Sequence, residues 1–336
     1  MKWHHPKRCC DGAVRTVRVD PRISALRGDI SPQRQAQLAL ERARDRWRSG
    51  PAKEIFAQLG DYARGSRLHD CPALAALFDG SSTARELVDA LLAGQIAALH
   101  QHPLGHVPLR HQYLQGLTVL QLASRGRASI TLLAYEEAAS LPSKVCFTGG
   151  ERHETVLAGA AKIEMARLLR EDAGSAQIAL ETRRVGPGDC LSTKGFAQTR
   201  QIAQVHGRLV LLRLARTDPV PEDSREYALA DGRLLHRASG SRAESRHEMA
   251  MALLGRMGRT DAAPLLAQVA GEGSRHVRWQ ALRECLALDS EIGFAAVKEI
   301  AADPVDPLAG AASALVTQLI GAHPQLANCE NNPCPI

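Results

Sequence analysis

No stretch of this 336-residue sequence approaches the roughly 18 uninterrupted apolar residues of a membrane-spanning helix, so no such span is expected. The first residues, Met1-Lys2-Trp3-His4-His5-Pro6, lead into charge rather than an apolar core. No secretory signal is expected, and the expected location is cytoplasmic. The eight cysteines form no Cys-x-x-Cys pair, which removes the usual spacing of a structural zinc site. Neither Gly-x-Ser-x-Gly nor a phosphate-binding glycine loop is present. No Ser/His/Asp or Cys/His arrangement has a local signature either, so nucleotide-dependent and triad chemistry have no support. Lysine is scarce, at seven of 42 basic residues, and the rest are arginine.

What is present is an ordinary globular composition, 45% hydrophobic and 23% charged, on a length that suits two or three domains. The formal charge is +6. Residues 1–30 hold seven Lys/Arg against three Asp, which places +4 there and leaves +2 for the other 306 residues. That segment reads as a basic flexible arm. The nearly neutral remainder lacks the basic face of a nucleic-acid binder, so nucleic acid is not an expected partner. Cys9-Cys10 beside His4-His5 belongs to the arm, with soft-metal binding as the alternative reading. Cys329 and Cys334, in a tail at 326–336, read as free thiols in a reducing compartment.

Between arm and tail the texture changes twice. Residues 31–102 read as a helical domain. Ser31-Pro32 opens a helix whose apolar face is Leu38, Leu40, Ala43 and Trp47. Thr83 and Glu86 have capping-box spacing and open a helix carrying Leu87, Leu91, Leu92 and Ile96. Residues 104–240 read as β. Segments 117–122, 128–135, 176–185 and 208–214 are strand-like, and Gly186-Pro187-Gly188-Asp189 is a turn. Tyr227 and 234–236 suggest a hairpin closed at Asp231-Gly232. Short strands with glycine-rich turns predict an antiparallel sandwich or barrel. Segment 153–170, rich in Ala, Glu, Leu and Met, stays open between helix and strand.

After Gly240 the strand signals stop. Residues 245–253 match 274–282 at an offset of 29, and 265–270 run parallel to 296–301 at about 31. A two-helix repeat of about 30 residues marks an α-solenoid. The expected class is therefore α+β and multidomain: an N-terminal helical domain, a central antiparallel β-sandwich or barrel, and C-terminal α-hairpin repeats over 244–325.

Two resemblances sharpen this. The run His276-Val277-Arg278-Trp279-Gln280-Ala281-Leu282 resembles the Val-Arg…Ala-Leu pattern of HEAT repeats. That family implies an α-hairpin stack and a docking surface for a protein partner. Trp279, flanked by Val277 and Leu282, is expected to pack between repeats, where its loss would cost about 3–5 kcal/mol. His247 and His276, like Arg246 and Arg275, fall at equivalent repeat positions near the start of each first helix.

Residues 104–216 resemble a cupin in His153-Glu154 followed by Gly159, in the turn Pro187-Gly188-Asp189, and in a final strand ending at 211–214. Metal cupins carry two histidines and a glutamate in the first motif and another histidine after the Pro-Gly turn. Here the first motif keeps His153 and Glu154, and Gln198 stands nearest the last ligand's place. The resemblance implies a barrel for a small ligand, with Glu154 and Gln198 as ligand-binding residues. It also implies a possible transition metal: Fe, Mn, Ni or Zn. The densest cluster of imidazoles is His100, His102, His106 and His111. His100 and His102 read as linker residues. His106 and His111 on a first strand, with His153 on a neighbour and Glu154 nearby, form the candidate metal set.

Three readings follow, the least favoured being nucleic-acid association through the basic arm. The favoured one is a cytoplasmic binding or regulatory protein whose barrel holds a small ligand and whose repeats dock a protein. The alternative is a metal-dependent cupin-type oxygenase or isomerase using His106, His111, His153 and Glu154.

Overall fold

The computed structural model describes residues 21, 28–139, 142–172, 174–324 and 326. Most of the basic arm, with His4, His5, Cys9 and Cys10, lies outside the described residues. So do Cys329 and Cys334. Among the described residues, no helix is long and apolar enough to cross a membrane.

The N-terminal region is helical: α1 (Ser31–Ser49), α2 (Lys53–Arg64), a single turn α3 (Pro72–Ala75) and α4 (Thr83–Gln101). Proline in the first turn of α1 sets the helical φ without losing a bond, because the first N–H groups have no partner in the helix. Ala36, Leu40, Ala43 and Trp47, three or four residues apart, form its buried stripe. The Trp47 indole N–H donates to the Leu87 carbonyl at 2.9 Å. Its ring meets Phe56 edge-on at 5.3 Å.

Eleven strands follow among the described residues: β1 (Arg110–Leu114), β2 (Leu117–Arg125), β3 (Ala128–Tyr135), β4 (Ala138–Ala139), β5 (Lys144–Phe147), β6 (Glu151–Glu171), β7 (Ala176–Val185), β8 (Cys190–Lys194), β9 (Gln198–Arg216), β10 (Ser224–Ala228) and β11 (Leu234–Ala238). The main sheet runs β1-β2-β3-β9-β6-β7, with β8 on the first part of β6 and β4 on the first part of β9. All its pairings are antiparallel. β6 and β9 pair along nearly their whole lengths. Their pairing shifts register at Ala158/Ala160, around Gly159. There a Cβ would lie 1.7 Å from the Arg208 carbonyl oxygen, and φ is +81°, so only glycine fits. Leu133, Val156, Ile163, Val185, Leu191, Val205, Leu209 and Leu211 all meet in one cluster. β3, β6, β7, β8 and β9 thus share a common interior.

Segment 153–170 is strand, not helix. Its alternation is hidden because β6 is covered on both sides, and such strands read as continuous apolar runs. On the outer side, Ile130, Leu157, Leu212 and Leu214 join Trp47, Leu59, Tyr62, Leu77 and Leu87 in a single core. The helices therefore form an outer wall of the β region, beside a smaller cluster of their own in which Leu40 and Ala43 of α1 meet Ala98 and Leu99 of α4. Polar bonds seal the joint. The Thr155 hydroxyl donates to the Leu77 carbonyl at 2.6 Å, and the Tyr62 hydroxyl to Glu151 Oε2 at 2.9 Å. The Arg216 guanidinium lies 4.0 Å from the Tyr62 ring centroid and donates to the Tyr62 and Ser66 carbonyls, each at 2.7 Å. A small sheet, β11-β10-β5, packs Val145, Phe147 and Tyr227 against Ala166 and Leu168 of β6.

The C-terminal region is helical: α5 (Arg242–Arg256), α6 (Ala263–Gly271), α7 (Arg275–Leu288), α8 (Ser290–Ala302) and α9 (Ala309–Ala322). α5 packs on α7, α6 on α7 and α8, and α9 on α8. Ser241 caps α5 by accepting from the Glu244 N–H at 3.3 Å, and Ser274 caps α7 by accepting from the Val277 N–H at 3.5 Å. The two helix starts are thus 33 residues apart, not 29. His276 is the second residue of α7, whereas His247 is the sixth of α5, so the two do not occupy equivalent turns. His276 Nε2 instead lies 3.6 Å from Glu248 Oε1.

Trp279 is half-buried, packed against the C-terminal core beside an open groove that Arg237 and Leu308 also line. It is not enclosed between helices as the sequence suggests. Trp279→Ala is accordingly expected to cost about 1–2 kcal/mol, within the ordinary range for a partly exposed side chain, when measured by urea unfolding. A loss above about 3 kcal/mol would restore the enclosed position.

Candidate functional site

Successive residues on a strand point to opposite faces. Arg152, Glu154 and Val156 of β6 therefore share one face, and Val156 places that face toward the common interior. Glu154 pairs in register with Arg213 of β9, beyond which lies Thr131 of β3. Arg200 comes from the other half of β9.

Glu154 is 3% exposed, and both of its oxygens are occupied. Arg200 donates Nε to Oε2 at 2.5 Å and Nη2 to Oε1 at 2.6 Å, a two-pronged pairing. Arg213 donates Nε to Oε1 at 2.6 Å. Burial pushes the Glu154 pKa up. The charge and hydrogen bonds of Arg200, followed by those of Arg213, outweigh burial and hold it at about 2. Burial likewise works against the Arg200 charge, and Glu154 more than restores it. The Arg200 guanidinium also lies 5.8 Å from the Tyr135 ring centroid. Arg152 stands on the same face and donates to the Thr148 hydroxyl. Burial and then the neighbouring Arg213 lower its pKa, with partial relief from Glu154. Two guanidiniums thus pair with one carboxylate and a third stands near on the same face, so this group of four side chains carries a net positive charge.

This arrangement limits the chemistry. Glu154 is ionised across the neutral range, is 3% exposed and accepts three arginine bonds over its two oxygens, so it offers no proton and is poorly placed as a ligand. It acts as an anchor that fixes Arg200 and Arg213 in place, and the surplus positive charge suits an anionic or strongly polar guest.

The structure does not assemble the candidate metal set. His153 follows Arg152 and precedes Glu154, so it points to the opposite face, toward the helices. Its ring centroid is 6.1 Å from that of Phe78, and its Nδ1 is 2.9 Å from Ser192 Oγ. Burial, the largest influence, lowers its pKa. His111 lies on β1, four strands from β6, which is about 19 Å along a sheet. Its Nδ1 is 3.2 Å from the Leu109 carbonyl oxygen. His106 is exposed in the segment before β1, where its backbone N–H donates to Gln37 Oε1 at 3.1 Å. His100 ends α4 and His102 follows it. Among the described residues, no three His, Cys, Asp or Glu are placed to hold a metal ion. The residues present therefore do not fit the cupin metal centre that the resemblance implies.

Gln198 lies two residues before Arg200 on the same strand. It lines an open cavity of about 330 Å³ with Met165, Arg167, Glu181 and Arg183. Arg152, Arg200 and Arg213 escape sequence reasoning, although one signal exists. Once 151–171 is taken as strand, the period of two separates His153 from Glu154 and joins Glu154 to Arg152.

No family model matches this sequence, and no curated protein matches it. Solved structures do show a likeness. The chain is similar to a cupin superfamily protein from Desulfitobacterium hafniense DCB-2, at 17% identity and a TM-score of 0.23, over 32% of this chain and 83% of that one. It is similar to KdgF from Halomonas sp., at 14% identity and a TM-score of 0.24, over 33% of this chain and 88% of that one. It is also similar to the capsular polysaccharide assembling protein CapF from Staphylococcus aureus, at 12% identity and a TM-score of 0.27, over 39% of this chain and 34% of that one. At these values the likeness extends to no activity, ligand or residue.

Proposed function

We propose that this chain is a binding protein. Its cupin-like β region holds a small polar ligand on the inward face, and its HEAT-like C-terminal helices dock a protein partner. The observation that carries the first half is the state of Glu154: buried, ionised and saturated by Arg200 and Arg213. Such a carboxylate holds guanidiniums in place for recognition. The enzyme alternative draws its ligands from His106 in the segment before β1, His111 on β1, and His153 and Glu154 on opposite faces of β6. Met249 and Leu253 on α5 and Met257 just past its end, four residues apart and 65%, 57% and 58% exposed, support the docking half.

Metal analysis separates the two readings. Protein purified without chelator is expected to carry far less than one transition metal per chain, and His153→Ala is expected to leave that content unchanged. Stoichiometric iron, manganese, nickel or zinc that survives dialysis and disappears in His153→Ala would overturn the binding reading. For the docking half, affinity capture with wild type and Leu253→Glu is the check. Identical captured sets would remove it.

A further inference from the structure

A second cavity, of about 650 Å³, opens where the inward face of β1–β3 meets α5. Arg110, Gln112, Gln121 and Thr131 line it from the sheet, and Ser245 and Arg246 from the helix. Its floor continues the row already described. Arg110 pairs in register with Gln121, Gln121 with Thr131, Thr131 with Arg213, and Arg213 with Glu154. No carboxylate lines the cavity. Among the described residues, neither the Arg110 nor the Arg246 guanidinium has a hydrogen-bond or ion-pair partner. The side chains of Gln112, Gln121 and Thr131 are likewise without one.

The helix side of the cavity is held in place. The Ser241 N–H donates to Ser239 Oγ at 3.1 Å, and the Ser245 hydroxyl donates to the Ser239 carbonyl at 3.4 Å. The Ser274 hydroxyl donates to Glu244 Oε2 at 3.0 Å, joining α5 to the start of α7. A Cβ on Gly240 would stand 2.1 Å from the Glu222 carbonyl oxygen, so the linker runs against the β region where only glycine passes. Arg246 is therefore presented over the sheet.

We propose that this cavity binds a small hydroxylated oxyanion, a phosphate or carboxylate on a polyol skeleton. Arg110 and Arg246 clamp the anionic group from opposite walls, and Gln112, Gln121 and Thr131 take the hydroxyls. The assignment rests on the binding reading above and deepens it by naming the ligand class and the place. It also makes the ligand a bridge between the β region and the C-terminal helices. A cavity with two unpaired guanidiniums and no acid gains most from an anion, because charge-assisted bonds are the stronger kind. Hydroxyl partners for neutral amides then add selectivity.

The full chain is titrated with glycerol 3-phosphate, glycerate and, as the neutral control, glycerol. Melting temperature and calorimetry are the readouts. At least one anion is expected to bind and raise the melting temperature, more weakly as salt is added, while glycerol has no effect. The responding probe distinguishes phosphate from carboxylate. Arg110→Gln and Arg246→Gln are each expected to weaken that binding about tenfold or more. Arg42→Gln on α1, the same charge change far along the chain, is expected to leave it unaltered. Circular dichroism confirms that each variant folds. Binding that stays at the wild-type level in Arg110→Gln and in Arg246→Gln, or no response to either anion at millimolar concentration, would overturn the proposal. Anion binding lost only in Arg152→Gln would move the ligand to the interior, which retires this cavity and keeps the binding reading.

Discussion

Glu154→Gln is expected to lower the free energy of unfolding by about 3–5 kcal/mol, the usual consequence of removing one partner from a buried ion pair. The amide keeps the volume but removes the charge. Arg200, itself only 7% exposed at its side chain, would then face Arg213 and Arg152 with no counter-ion. The sign of the pH effect follows from the same contacts. An ordinary glutamate titrates near 4.5, and the folded Glu154 near 2. Its contribution is therefore full above about pH 4.5 and is lost as pH falls toward 2. The variant should lose the acid-side slope that Glu154 supplies. Urea unfolding at pH 7 and pH 4 measures both effects. A loss below about 1 kcal/mol at pH 7 would show a carboxylate in contact with water, and the anchoring role would fall with it.

Trp47→Ala is expected to cost about 3–5 kcal/mol, as large aromatic deletions from cores do. Trp47 is 4% exposed, and its removal opens a cavity beside Phe56 and takes away the indole bond that ties α1 to the Leu87 carbonyl of α4. The more telling readout is how the loss is distributed. Because the helices and the outer side of the sheet share one core, helical and β signals should move to lower urea together, in one transition. Separate transitions, with only the helical one displaced, would show two independent cores.

Some of this architecture is legible in the residues alone. β3 and β7 are readable because one hairpin turn or one glycine-proline turn bounds each, and β7 is exposed enough to show its alternation. α1 is readable from its first-turn proline and its stripe ending in Trp47. β6 is not, because helices cover one face and the interior covers the other. That single ambiguity propagates to the site. Without strand periodicity, His153 and Glu154 look like neighbours that act together, when the backbone turns them apart. The arginines are harder still. Arg200 and Arg213 reach Glu154 across 46 and 59 residues of chain, and nothing local marks that meeting. In the C-terminal region the helices are legible but the offset of 29 is not a structural period: it sets buried Leu282 against exposed Leu253 and runs four residues out of step with the serine caps that start α5 and α7.

The shared core also bears on how the chain is made. Synthesis delivers α1–α4 first, yet the surface they cover is completed by Leu212 and Leu214 of β9, and Tyr62 waits for Arg216, 154 residues later. Pairings of that span are slow to form, because a long loop must close before any contact rewards it. During translation Leu59, Tyr62 and Leu77 therefore emerge well before the sheet side of their core exists. For the interval in which some 110 residues follow α4 out of the ribosome, the nascent helices present a face for which a chaperone is the natural temporary cover.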